Sequence, residues 1–160
     1  MTRQETYRQL YLQTESLIKG EDNYVGVLAN ITALLKSAFP RRFFWVGFYL
    51  VSGDTLKLGP FQGTVACFSI KYGKGVCGTC WQRAETVIVD DVEQFPGHIA
   101  CSSLSRSEIV VPVWDAAHEQ VVAVLDIDST RLAAFDSTDR QGLERICSLI
   151  TSPSDNPSPQ

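Results

Sequence analysis

The chain has 160 residues, 44% hydrophobic and 20% charged, which supports one folded domain with a substantial core and excludes a wholly disordered polypeptide. A net charge of -4, with Arg41-Arg42 as the one basic doublet, excludes an electrostatic nucleic-acid surface. No apolar run approaches the roughly 20 residues that span a bilayer, and the polar start MTRQETYRQLYLQTES lacks a secretory signal's apolar core, so the expectation is a cytoplasmic protein with reduced cysteines.

Residues 3–19 place Tyr7, Leu10, Tyr11, Thr14 and Leu17 three and four apart, which predicts an amphipathic helix closed by Gly20. A second helix follows Asn23, with Val27, Leu28, Ile31, Leu34 and Leu35 on one face and a stop before Pro40. The period then changes. FFWVGFYLV (43–51) is aromatic and β-branched and reads as a buried strand, and a turn at Ser52-Gly53-Asp54 returns it through TLKLG as a hairpin. Residues 60–78 read as glycine-rich loop with a short strand near 67–70, and a short helix is predicted from Val76 to Arg83. TVIVD (86–90) is a strand, and 91–107 is a long irregular segment of the kind that carries function. Strands at 108–113 and 120–128 precede a helix from 137 to Ile150, capped by Asp136. The tail 151–160, with three prolines, is expected to be disordered. The elements together predict a single α+β domain over 1–150, with a core at 22–150. Its antiparallel sheet carries helices on one side.

Five cysteines fall at 67, 77, 80, 101 and 147. Cys147 sits among apolar residues of the last predicted helix and reads as core filler. The other four lie in loops or at element edges, where a thiolate has access to reactants. Cys77-Gly-Thr-Cys80 with Cys67 and Cys101 also admits a four-thiolate zinc site, although zinc sites usually come as two close pairs and these are split. Asp126 and Asp128 share one strand face, with Leu125 and Ile127 on the other. Trp45 and Tyr49 share a face with Gly47 between them, which suits either core packing or an aromatic-walled pocket. Glu108 opens a strand, and His98 stands three residues before Cys101 as a candidate base.

The segments FFWVGFYL, LGPFQGTVACFSI, YGKGVCGTCW, VDDVEQFPGHIAC, SEIVVPV and VVAVLDIDST resemble the free methionine-(R)-sulfoxide reductases, which are GAF-domain enzymes. Three cysteines of that family have spacings of 10 and 24, as do Cys67, Cys77 and Cys101 here. The resemblance implies an antiparallel GAF sheet with helices packed against it and a small enclosed pocket. It implies an oxidoreductase that reduces the R-sulfoxide of free methionine. Cys101 matches the catalytic cysteine, Cys67 the usual resolving cysteine, and Cys77 a third cysteine of less settled role. Glu108, Asp126 and Asp128 match the acids of the substrate pocket, and Trp45 and Tyr49 its aromatic wall. Cys80 departs from the family, as does Ser102 after Cys101, and the 114–119 connection is longer than usual.

The expected chemistry follows. A Cys101 thiolate attacks the electrophilic sulfoxide sulfur while Glu108 or Asp128 supplies a proton. Cys67 then condenses with a Cys101 sulfenic acid, and thioredoxin or another dithiol restores the pair. No metal or organic cofactor is expected. A homodimer is expected, with the first helix as its interface. The alternative function is a non-catalytic GAF domain that binds a small molecule or senses redox state.

Overall fold

The structure, a computed structural model, describes residues 1–152. The expected disordered tail therefore lies outside the described residues from 153 onward, while Ser152 is buried. Four helices and six strands follow in order: α1 (Arg3–Ile18), α2 (Tyr24–Ala38), β1 (Trp45–Ser52), β2 (Thr55–Gln62), β3 (Ser69–Lys71), α3 (Gly75–Arg83), β4 (Val87–Val89), β5 (Ser107–Trp114), β6 (Val121–Ser129) and α4 (Ser137–Cys147). The strands form one antiparallel sheet in the order β3-β2-β1-β6-β5-β4.

Local chemistry sets the helix starts. Thr2 and Glu5 form a reciprocal capping box at α1, and the Asn23 side chain accepts from the Gly26 N–H at α2. Asp136 and Asp139 form a second box at α4. Asp139 is fully buried and also accepts the Tyr7 hydroxyl at 2.7 Å and the Arg42 guanidinium, tying α1 and the β1 approach to α4.

The sheet separates two apolar clusters. Val46, Phe48, Leu125 and Ile127 face α1, α2 and α4, as the alternation of Leu125 and Ile127 predicts. Trp45, Tyr49, Val110 and Val124 face the other way, under α3 and its flanking loops. Helices therefore cover both faces, not one. The central strands are covered on both sides, which is why they are rich in aromatic and β-branched residues.

Two boundaries and the use of one helix face also differ from the sequence reading. β2 runs on to Gln62 through Gly59 and Pro60, because its pairing to β1 shifts register between Gly47 and Tyr49. A proline fits there, where the ladder is interrupted. α4 ends at Cys147, before the predicted Ile150. The buried stripe of α1, Tyr7, Leu10 and Thr14, is used inside the domain, although Leu12 and Leu17 remain exposed. Among the described residues no helix is long and apolar enough to cross a membrane.

Candidate active site

Strand register builds the site. Trp45 pairs with Asp128 across β1 and β6, and Asp128 pairs with Glu108 across β6 and β5. One step along, Gly47 pairs with Asp126, and Asp126 with Val110. Alternation aims all these side chains at the α3 face. Three carboxyl groups from two strands thus meet beside an aromatic wall.

The wall depends on a missing side chain. A Cβ at Gly47 would lie 2.4 Å from both the Trp45 ring and Phe61 Cβ. Without it, Trp45 stacks on Phe61 with ring centroids 5.2 Å apart and on Tyr49 at 6.0 Å. Both aromatic polar groups then hold the loop after β2. Trp45 Nε1 donates to the Thr64 carbonyl at 2.9 Å, and the Tyr49 hydroxyl donates to the Cys67 carbonyl at 3.0 Å. Gly63, at φ +137°, turns the chain into that loop, where a Cβ would meet the Trp45 ring at 2.5 Å. Gly47→Ala is expected to displace Trp45, loosen the Cys67 loop and raise KM for substrate more than it lowers global stability. Steady-state kinetics beside thermal melts check this.

The disulfide Cys67–Cys101 joins that loop to the irregular segment after β4, with Cα atoms 5.6 Å apart. Cys101 is exposed and Cys67 half-buried. The bond caps a small cavity of about 40 Å³, bounded by Tyr49, Cys77, Glu108, Asp126 and Asp128. The five carboxyl, thiol and phenol groups are all named in the sequence reading, and the fold brings them together.

Electrostatics follow from burial. Removal from water, with Asp128 alongside, pushes the Glu108 carboxyl up to about 8. Burial, then Glu108, raises Asp126, and burial, then Asp126, raises Asp128. Glu108 therefore keeps its proton at neutral pH. Burial and then Asp126 push the Cys77 thiol well up as well, so Cys77 is held as a thiol. His98 Nε2 lies 3.7 Å from Glu108 Oε1, beyond hydrogen-bond range. Burial lowers the His98 pKa below the ordinary imidazole value.

Several readings of the cysteines change. Cys77 and Cys80 lie on α3, the helix expected from Val76 to Arg83, and are buried and free rather than accessible at an element edge. α3 seats closely because Gly78 has no Cβ, which would stand 2.6 Å from the Lys71 carbonyl oxygen. Cys67 and Cys101 are bonded to each other, which removes the four-thiolate zinc arrangement. Cys147 is buried in the core as expected. The sequence reading missed the two carbonyl anchors at Thr64 and Cys67 and the Phe61 wall. The glycines at 47 and 63 were the available signal for both.

An antiparallel sheet with helices on both faces and a loop-bounded cavity on one of them is the architecture of a GAF domain. A family model described as GAF domain matches residues 27–152. GAF domain-containing protein A of Dictyostelium discoideum is 51% identical, covering 93% of this chain and 92% of its own. The free methionine-R-sulfoxide reductase of Escherichia coli strain K12 is 44% identical over 94% of this chain and 89% of its own. The X-ray structure of free methionine-R-sulfoxide reductase from Neisseria meningitidis, in complex with its substrate, superposes with a TM-score of 0.89 at 47% identity, covering 94% and 89% of the two chains. The chain belongs to the GAF-domain family, among the free methionine-R-sulfoxide reductases.

Proposed function

We propose that this chain reduces free methionine-R-sulfoxide to methionine with electrons from Cys101 and Cys67. The observation that carries the reading is the Cys67–Cys101 bond, whose Cys101 lines an acidic cavity. The named activity of the E. coli and N. meningitidis relatives supports it.

The steps balance as follows. The Cys101 thiolate attacks the sulfoxide sulfur as Glu108, a protonated acid at neutral pH, donates to the sulfoxide oxygen. The oxygen passes to Cys101 as a sulfenic acid, and methionine, now reduced, leaves. The Cys67 thiol attacks the Cys101 sulfur, water departs, and the disulfide forms. Thioredoxin or a similar dithiol reduces it by exchange at the exposed Cys101 side. No bound metal or organic cofactor takes part in these steps. A reducing compartment, the cytoplasm, suits this cycle. All the groups named come from one chain, so the homodimer expected from the resemblance is not a requirement of the chemistry.

Selectivity for the free amino acid has a physical source. The substrate ammonium enters the acidic cluster, where Asp126 Oδ1 is buried with no hydrogen-bond partner. A blocked amine carries no such charge, and a methionine sulfoxide residue inside a polypeptide has no free ammonium to offer. With dithiothreitol as reductant, free methionine-R-sulfoxide is expected to be consumed and its N-acetyl form spared. Equal rates on the two would contradict the role of the acids.

A further inference from the structure

We propose that Cys77, Glu108 and Asp126 form a binding site for a zinc-class divalent cation. Their ligand atoms, one thiol sulfur and two carboxylate oxygens, lie within 4.8 Å of one another, and all three residues are buried. Asp126 is 6% exposed, and its Oδ1 is sealed from solvent without a hydrogen-bond partner among the described residues. That oxygen needs a cation or a donor.

The donor set selects the cation. An ammonium is satisfied by oxygens alone and gains nothing from Cys77. Magnesium and calcium take oxygen ligands, and sulfur does not serve them. Zinc accepts mixed sulfur and carboxylate donors at tetrahedral sites, with three protein ligands and an open fourth position where a small molecule can enter. Here the fourth position faces the cavity lined by Asp128 and Cys101. On binding, the Cys77 S–H and Glu108 O–H bonds break, Zn–S and Zn–O bonds form and both protons leave to solvent, with no change of oxidation state. The site stands in the disulfide form, since none of its three ligands belongs to the Cys67–Cys101 bond.

Zinc then occupies the oxygens assigned above to the substrate ammonium, so it inhibits by competing with substrate. This consequence rests on the proposed function, whereas binding itself does not. It also gives Cys77 a use that the two-cysteine cycle does not.

The test uses the full chain, metal-stripped and in its disulfide form, so that only Cys77, Cys80 and Cys147 are thiols. Titration with Zn²⁺ against a chromophoric chelator is expected to give one tightly held ion per chain, undisturbed by excess Mg²⁺. Co²⁺ is expected to give an intense near-ultraviolet thiolate-to-cobalt band. Cys77→Ser loses the band and the stoichiometric binding, Asp126→Asn keeps the band but needs more metal, and Cys80→Ala retains both. No retained zinc, or retention undiminished in both Cys77→Ser and Asp126→Asn, overturns the site. Sulfoxide turnover by the metal-free reduced chain is read separately. Turnover without zinc binding overturns this inference alone, and zinc binding without turnover overturns the reductase reading alone.

Discussion

Cys101→Ser is expected to lower turnover of free methionine-R-sulfoxide by at least about 10⁴-fold, the scale on which loss of a nucleophile is felt. The reason is specific to this sulfur. Cys101 alone among the cysteines is exposed, and it borders the cavity. Cys77, Cys80 and Cys147 are buried thiols whose pKa values burial raises, so none can substitute as a thiolate. Cys67→Ser is expected to behave differently. One methionine per chain still forms, because attack and oxygen transfer need only Cys101. Recycling by thioredoxin then stalls, because no intramolecular disulfide is offered to it. Rapid-quench assay of methionine formed per chain separates the two variants. Full activity in Cys101→Ser would reject the assignment.

Glu108 sets the second large effect, on both rate and stability. Its carboxyl, pushed up to about 8, is protonated over the neutral range and can serve as the general acid. Turnover is therefore expected to fall above pH 8 as the proton is lost. Glu108→Gln removes that limb from the pH profile and lowers kcat by about 10²- to 10⁴-fold. The same carboxyl makes stability depend on pH. The unfolded chain releases this proton near 4.5, while the folded chain keeps it to about 8. The folded state thus binds more protons between those values, and its stability declines as pH rises across that window. Asp126 and Asp128 are raised for the same cause and push the same way. Glu108→Gln has no such penalty, so it should melt at a higher temperature than the parent at pH 8, with a smaller difference at pH 5. A variant that melts lower at pH 8 would show that the acid is not strained by its burial.

Both effects involve residues that stand out in the sequence, for different reasons. The alternation Leu125, Asp126, Ile127, Asp128 shows two acids on one strand face, and the fold places them on it. The same is true of Trp45 and Tyr49 around Gly47. The cysteine spacing carries the family resemblance, and the structure joins Cys67 to Cys101. What local pattern does not contain is register. That Trp45, Asp128 and Glu108 form one row depends on pairing between segments far apart in the chain. Burial of Cys77 and Cys80 was hidden for a related reason. A helix crossing the second sheet face cannot be told from a surface helix when it is only nine residues long and flanked by glycine loops. The extension of β2 was hidden by Gly59 and Pro60, which read as turn residues until the shift in pairing accommodates them. Helices on both faces followed from α3, whose partner cluster includes residues from all six strands.

The central claim is that one reduction of substrate places both electrons' worth of oxidation on the sulfurs of Cys101 and Cys67. The most direct measurement is peptide mass mapping of the fully reduced chain after one equivalent of free methionine-R-sulfoxide, without added reductant. The account predicts one methionine released and the Cys67–Cys101 bond as the disulfide recovered, with Cys77, Cys80 and Cys147 still alkylatable as thiols after unfolding. Methionine released with Cys67 and Cys101 both still reduced, or with the new bond between Cys77 and Cys80, would contradict it.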